Sequence, residues 1–135
     1  MALKLVVHYR DGRLDKGTTV NFNPAASNFT LTMQAAMTGE TSRIVCLRDV
    51  KAVFFVKSFM GNPDYTPRKQ FQKGDAFQGQ RMRLTFHDGE IMLGSSPNYS
   101  PASDGFFFFP VDSQGNTLKA WVPNASVREA TMLTA

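Results

Sequence analysis

Residues 11–25 and 88–102 of this 135-residue chain are related by a constant offset of 77 residues, without a gap. The relation continues to Phe29 and Phe106, and seven of the 19 aligned pairs are identical. The identical pairs are Asp11/Asp88, Gly12/Gly89, Gly17/Gly94, Asn21/Asn98, Pro24/Pro101, Ala25/Ala102 and Phe29/Phe106. A repeat of this length indicates one supersecondary unit that occurs twice. Because a unit of about 55 residues buries little surface alone, we expect the two units to pack against each other.

Each copy has the pattern of five short strands joined by tight turns, and neither contains a long amphipathic helix. The Asp-Gly pairs predict type I′ hairpin turns, and the glycines at 17 and 94 predict a bend or bulge. Residues 48–50 are expected to form one turn of 3₁₀ helix. The last part of the second copy aligns at an offset of 75, which predicts a two-residue contraction. The predicted strands are 3–10, 13–22, 28–33, 43–47, 51–56, 81–87, 90–99, 105–111, 119–122 and 126–133.

The first copy resembles the Sm-type small barrel in Asp11-Gly12-Arg13, Gly17, Phe22-Asn23 and Asn28-Phe29-Thr30-Leu31. The resemblance implies an all-β fold of two tandem Sm/SH3-like small β-barrels, 1–56 and 81–135, packed as a pseudo-dimer and joined by a connector, 57–80. Phe106 to Phe109 alternate between the two faces of one strand, and we expect them to be buried on both sides.

The same resemblance implies that Asn23, Asn28 and Arg48 occupy the positions that contact a uridine in Sm proteins. The chain departs from the Sm pattern here, because the loop is one residue longer, Asp49 stands in place of a glycine, and the opening helix is missing. The second copy has Ser100, Gly105 and Pro123 at the positions aligned with these three residues. The resemblance therefore bears more on the fold than on RNA binding.

A second resemblance covers nearly the whole chain. Residues 50–65, together with 88–90 and 105–110, are similar to an uncharacterised bacterial domain family that occurs alone or beside signalling modules such as PilZ domains. This family implies no functional residues. A PilZ-type site for cyclic di-GMP is not expected, because the chain has no Arg-x-x-x-Arg element and Glu129 stands where the second PilZ element requires a glycine.

The positive charge of the chain is concentrated in residues 57–83, which carry six basic and two acidic residues and so account for the whole net charge of +4. In the connector, aromatic and basic residues alternate. They are Phe59, Tyr65, Arg68, Lys69, Phe71, Lys73 and Phe77. Aromatic faces and cations together can hold bases and phosphates. The same mixture also suits a structural staple between the barrels, and the two interpretations stay open.

No catalytic signature is found: the chain lacks a Gly-rich phosphate loop, a zinc-ligand cluster and a nucleophile elbow. The single Cys46 reads as a small buried hydrophobe, and His8 and His87 do not occupy equivalent positions in the copies. The sequence therefore predicts no enzyme, no metal and no cofactor. The first residues do not have the pattern of a leader, and no apolar run is long enough to span a membrane, so we expect a cytoplasmic protein without a leader and without membrane insertion.

We therefore expect a regulatory or interaction module that binds a protein partner through its strand edges or through the connector. The first alternative is an Sm-like binder of RNA or other single-stranded nucleic acid. A nucleotide-like ligand between the barrels is the weaker alternative. Self-association is compatible with each of these, and any binding function is expected where the copies differ and in the basic connector between them.

Overall fold

The computed structural model describes residues 3–33, 41–61, 79–112 and 114–133. These residues form ten β-strands and two single turns of 3₁₀ helix, Leu47–Asp49 and Asn124–Ser126. The all-β class predicted from the sequence is confirmed. The strands are β1 Leu3–Tyr9, β2 Leu14–Thr19, β3 Asn28–Met33, β4 Ser42–Cys46, β5 Val50–Val56, β6 Gln80–Phe86, β7 Ile91–Ser96, β8 Gly105–Pro110, β9 Thr117–Pro123 and β10 Val127–Met132.

The ten strands form one antiparallel sheet in the order β10-β6-β7-β8-β9-β5-β1-β2-β3-β4. Strands β1 to β5 come from the first copy and β6 to β10 from the second, so β5 and β9 join the two copies by backbone pairing. The sheet is open, and its two outer strands are β4 and β10. Two separate barrels and a pseudo-dimer are finer statements than this single sheet, and they stay predictions.

Hydrogen bonds at the offset of 77 extend to the end of both copies. Leu47 N donates to Ser27 O at 3.0 Å, and Asn124 N donates to Asp104 O at 3.0 Å. The 3₁₀ turns Leu47–Asp49 and Asn124–Ser126 also differ by 77 residues. The predicted two-residue contraction is therefore wrong. Strand β9 instead begins two residues earlier in its copy than β4 does, since 42 + 77 is 119 and β9 starts at Thr117.

The Asp-Gly hairpin turns are present, but they are not type I′. That turn needs a positive φ at both central residues, whereas φ is positive at Gly12 (94°) and Gly89 (93°) and at no described residue other than glycine. In the first copy, Gly12 N donates to Tyr9 O and Tyr9 N donates to Arg13 O. This pattern is a three-residue connection in which the glycine is the bulge residue.

Two hydrophobic clusters lie in the sheet. The first contains β1, β3, β4 and β5 side chains with Trp121 from β9. The second contains β6, β8 and β9 side chains with Ala52 from β5. Strand β5 serves both clusters because successive side chains point to opposite faces, so that Val53 and Phe55 enter the first while Ala52 and Phe54 contact the second.

The run of four phenylalanines in β8 follows the same alternation. Phe106 and Phe108 are fully buried in the second cluster, and Phe107 packs against the first. The expectation of burial is confirmed for Phe106 and Phe108, whereas Phe107 and Phe109 are only partly buried. Two of the four rings are therefore part of the structural core.

Candidate functional site

A cleft of about 610 Å³ is lined by residues of both copies. One wall is the loop 24–28 and the other is formed by the ends of β4 and β9 with the residues that follow them. Residues of both copies thus contribute to it. The polar and aromatic side chains on its lining are Arg10, Ser27, Asn28, Cys46, Arg48, Asp104 and Trp121.

The loop wall is fixed by hydrogen bonds within the loop and to the 3₁₀ turn. Ala26 N donates to Asn23 O, and Ala25 N donates to Asn23 Oδ1, both at 3.0 Å. Leu47 N donates to Ser27 O, which holds the loop against the turn that carries Arg48. Asn28 then begins β3 opposite Cys46 of β4. The loop wall of the cleft is therefore held by these hydrogen bonds, whereas the charged side chains that line the cleft remain exposed.

Two of the three residues implied by the Sm resemblance meet in this cleft. Asn28 and Arg48 both line it. Asn23 does not, because its side-chain oxygen caps its own turn. The predicted counterpart of Arg48 was Pro123. Under the offset of 77 that hydrogen bonds support, the counterpart is Ala125, which lines the same cleft.

The sequence did not predict the other polar and aromatic residues of the cleft, of which Arg10 and Trp121 are the most informative. Arg10 enters the cleft because its backbone N–H donates to Asp49 O at 2.9 Å, which folds the end of β1 over the 3₁₀ turn. Trp121 is the only tryptophan of the chain; it is only 4% exposed and packs edge-on against Phe22. Arg10 could have been identified as a candidate from its alignment with His87, because binding was expected at positions where the copies differ. No sequence signal placed Trp121 there, since the β5–β9 pairing is long-range.

Most of the predicted connector site lies outside the described residues. This applies to Tyr65, Arg68, Lys69, Phe71 and Lys73. Phe59 is described, and its carbonyl oxygen accepts a hydrogen bond from Lys16 Nζ at 3.0 Å. Its side chain lines a separate shallow depression of about 320 Å³ beside His8 and Phe54. Phe59 therefore does not share the cleft of Asn28 and Arg48.

Two ionisable groups of the first copy, Lys51 on β5 and His8 on β1, lie near charged residues of the second copy. Lys51 Nζ lies 2.7 Å from Asp88 Oδ2 and also contacts Glu90 Oε1. Burial alone would lower the pKa of Lys51, but its hydrogen bonds to these two carboxylates outweigh that effect and raise it. Burial and the nearby Lys51 charge lower the pKa of His8, whose ring packs edge-on against Phe54.

A buried polar group of the first copy lies beside strand β4. Tyr9 Oη donates to Asp15 Oδ2 at 2.7 Å, and Arg43 Nη1 lies 2.8 Å from the same oxygen. Burial and the Asp15 hydrogen bond raise the pKa of Tyr9 well above its usual value. These residues satisfy one another within the fold, which is the arrangement of a structural ion pair.

The two outer strands expose apolar side chains. Ile44 on β4 is 66% exposed and Met132 on β10 is 43% exposed. Strand β4 pairs with β3, and β10 pairs with β6; within the described ranges neither has a neighbour on its other side. Each strand thus presents a backbone edge and an apolar side chain on it.

The residues with described positions contain no group of three or more His, Cys, Asp or Glu side chains arranged to hold a metal ion. They also contain no helix long and apolar enough to cross a membrane.

The described residues define a small all-β protein with one open sheet, two hydrophobic clusters and two outer strands that no described strand covers. Residues 1–134 match the model of a family of unknown function, DUF6982. The chain belongs to this family, which confirms the sequence-based resemblance to an uncharacterised domain family. The comparisons with curated proteins and with solved structures gave no match.

Proposed function

We propose that this protein is a non-catalytic interaction module that binds a protein strand at the free edges of its sheet. The observation that carries the proposal is the pair of outer strands, β4 and β10, each with an exposed apolar side chain and one backbone edge that no described strand covers. Open edges accept a further strand through main-chain hydrogen bonds, and side chains beside them give specificity. Ile44 and Met132 are the side chains placed to do this.

The test is capture of a protein partner by the immobilised full chain, followed by hydrogen exchange on the purified complex. We expect a reproducible partner that slows amide exchange in β4 or β10. Ile44→Lys and Met132→Lys should reduce capture at least tenfold, because each places a charge in the docking position. Ile91→Lys is the matched control, since Ile91 is 60% exposed on β7, which has neighbours on both sides. Absence of a reproducible partner, or protection confined to other strands, would contradict the proposal.

We also propose that the two clusters are the interiors of two small barrels, 1–56 and 81–135, related by the repeat and packed as a pseudo-dimer. Support comes from the equivalent strand order in the two copies and from hydrogen bonds at the offset of 77. The connector 57–80 would join them, as a staple or as a second binding loop. A bacterial, cytoplasmic setting beside signalling modules fits such a scaffold, and gene neighbourhood together with cell fractionation tests it.

A second candidate function is binding of single-stranded RNA in the cleft. It is favoured by the meeting of Asn28, Arg48 and Arg10 beside Trp121. Titration with oligouridylate at low salt should quench the fluorescence of the single tryptophan, and the affinity should fall steeply as salt is raised. Arg48→Ala should weaken binding, whereas Arg83→Ala, an exposed substitution on β6, should not. No detectable binding at low salt would remove this candidate.

A mononucleotide in the same cleft is the remaining alternative. A ligand that binds only the folded chain raises its melting temperature. An unchanged melting temperature across a nucleotide panel would argue against it.

A further inference from the structure

The outer strands β4 and β10 are the counterparts, in the other copy, of β9 and β5, which pair with each other inside the chain. Strand β5 of the first copy pairs with β9 of the second. At the offset of 77, β5 corresponds to the outer strand β10, and β9 corresponds to the outer strand β4. We propose that β10 of one molecule pairs with β4 of a second molecule of this chain, in the same way as β5 pairs with β9. This inference rests on the proposed edge-binding function and names the partner.

The pairing of β5 with β9, called the junction from here on, gives the register of the proposed pairing between molecules. In the chain, Val53 lies opposite Trp121 and Phe54 lies opposite Ala120 in antiparallel strands. Adding 77 to the β5 positions and subtracting 77 from the β9 positions places Ala130 opposite Ile44 of the next molecule. The following pair is Thr131 with Arg43.

Side-chain exposure agrees with this register. At the junction, Phe55 and Trp121 enter the same cluster, and each is only 4% exposed. Their counterparts at the offset of 77 are Met132 and Ile44, which are 43% and 66% exposed. Large apolar side chains thus stand uncovered at the two positions that the junction buries. In the proposed assembly, Ile44 packs against Met132 and the second cluster of its neighbour, which removes both from water.

The charges near the junction have a partial counterpart. Lys51 on β5 pairs with Asp88 in the turn after β6. At the offset of 77 these positions are Arg128 and Asp11, so a cation on β10 again faces a carboxylate. Asp11 already pairs with Arg13, and Glu129 and Thr131 stand at the positions of the apolar Ala52 and Phe54. The proposed contact is therefore more polar than the junction, and we expect reversible, concentration-dependent assembly.

The pairing joins two different surfaces, so it is head-to-tail and leaves one free β4 edge and one free β10 edge after each addition. Such heterologous contacts continue until a ring closes or a filament grows. The assembly is therefore expected to contain more than two molecules. A symmetric dimer through two β4 edges or two β10 edges is a different arrangement.

Sedimentation velocity and native mass spectrometry of the full chain over a range of concentrations test the inference. We expect species of three or more molecules. Ile44→Lys alone and Met132→Lys alone should each give monomers, and Ile91→Lys should assemble like the unaltered chain. All three substituted side chains are exposed in the single chain, so circular dichroism should confirm that each variant is folded.

Mixing the two edge variants distinguishes the head-to-tail pairing from symmetric ones. Ile44→Lys retains an intact β10, and Met132→Lys retains an intact β4, so the mixture should form a 1:1 heterodimer and nothing larger. Dimers of either variant alone would overturn the inference in favour of a symmetric contact. An unaltered chain that stays monomeric at every concentration would overturn it as well. If partner capture from lysate is still lost in the edge variants in that case, the proposed edge function stands without self-assembly.

Discussion

Three equivalent positions carry polar side chains in the first copy and apolar side chains in the second. In the first copy, Tyr9, Asp15 and Arg43 form a hydrogen-bonded polar trio in which Asp15 accepts from both partners. At the offset of 77 the second copy has three apolar residues. They are Phe86, Met92 and Ala120. The surrounding strands pair equivalently in both copies, so the backbone arrangement does not depend on which chemistry fills this space.

The position of each strand in the sheet explains why the first copy has the polar trio and the second copy has apolar residues. Arg43 is on the outer strand β4, where its side chain remains 36% exposed and its charge keeps contact with water. Ala120 is on β9, which pairs with β5 on one side and β8 on the other, and its side chain is fully buried. A buried charge costs more than a partly hydrated one. An arginine is therefore tolerated at the edge and would be costly at the junction.

The largest effect is expected where the copies are identical. A Cβ on Gly17 would overlap the carbonyl oxygen of Thr32, and a Cβ on Gly94 would overlap that of Phe109. Gly17→Ala and Gly94→Ala should each lower the free energy of unfolding by about 3 kcal/mol, because the neighbouring strand must move away. Urea denaturation measures both losses. Gly12→Ala is the control: nothing lies near its Cβ, so only its positive φ costs energy, about 1–2 kcal/mol.

Asp15→Ala tests the polar trio itself. It removes the carboxylate that accepts from Tyr9 and Arg43 in a largely buried site, and we expect a loss of about 2 kcal/mol in urea denaturation. The triple change Tyr9→Phe, Asp15→Met and Arg43→Ala copies the filling of the second copy. It should cost less than Asp15→Ala alone, about 1 kcal/mol or below, since apolar residues can replace a buried ion pair at little cost. A triple variant less stable than Asp15→Ala would show that the two spaces are not equivalent.

His8 gives a smaller, pH-dependent difference between the copies. Its pKa is lowered from the ordinary 6.5 by burial and by Lys51, so the unfolded chain binds a proton more readily than the folded chain. The contribution of His8 to the free energy of unfolding is therefore fully present above about pH 6.5, and it is lost as the pH falls through the pKa of the folded chain. One group can contribute at most about 1.4 kcal/mol per pH unit. His8→Thr introduces the residue of the second copy, Thr85, and should remove this part of the slope between pH 7 and 5. An unchanged slope would contradict the prediction.

The smallest effect is expected at the first hairpin turn. Asp11 pairs with Arg13 on the open surface, whereas Asp88 pairs with the largely buried Lys51. Asp11→Asn retains an oxygen to accept the Arg13 N–H and should leave the melting temperature unchanged within error. Asp88→Asn should lower the melting temperature measurably, because Lys51 loses a charged partner. Equal shifts for the two variants would show that the buried lysine gains nothing from Asp88.

Local pattern was sufficient to predict the strands. The segment after the loop, in which polar and apolar residues alternate, was predicted as β3 at its observed bounds, Asn28–Met33, and glycine after aspartate marked both hairpins. The alignment at 75 failed because few identities remain near the chain end, and an earlier strand start cannot then be distinguished from a deletion. The pairing of β5 with β9 could not be predicted, since it joins residues far apart in the sequence. For the same reason, Arg10 and Trp121 were not connected with Asn28 and Arg48.

Strand β5 couples the folding of the two copies. Its alternate side chains complete both hydrophobic clusters, and β9 supplies Trp121 to the first cluster in return. If either copy unfolds, the other loses part of its interior and a paired neighbour. Unfolding is therefore expected as one cooperative transition, with no stable half-folded chain. A deletion of residues 81–133 would therefore also remove part of the core formed by residues 3–56.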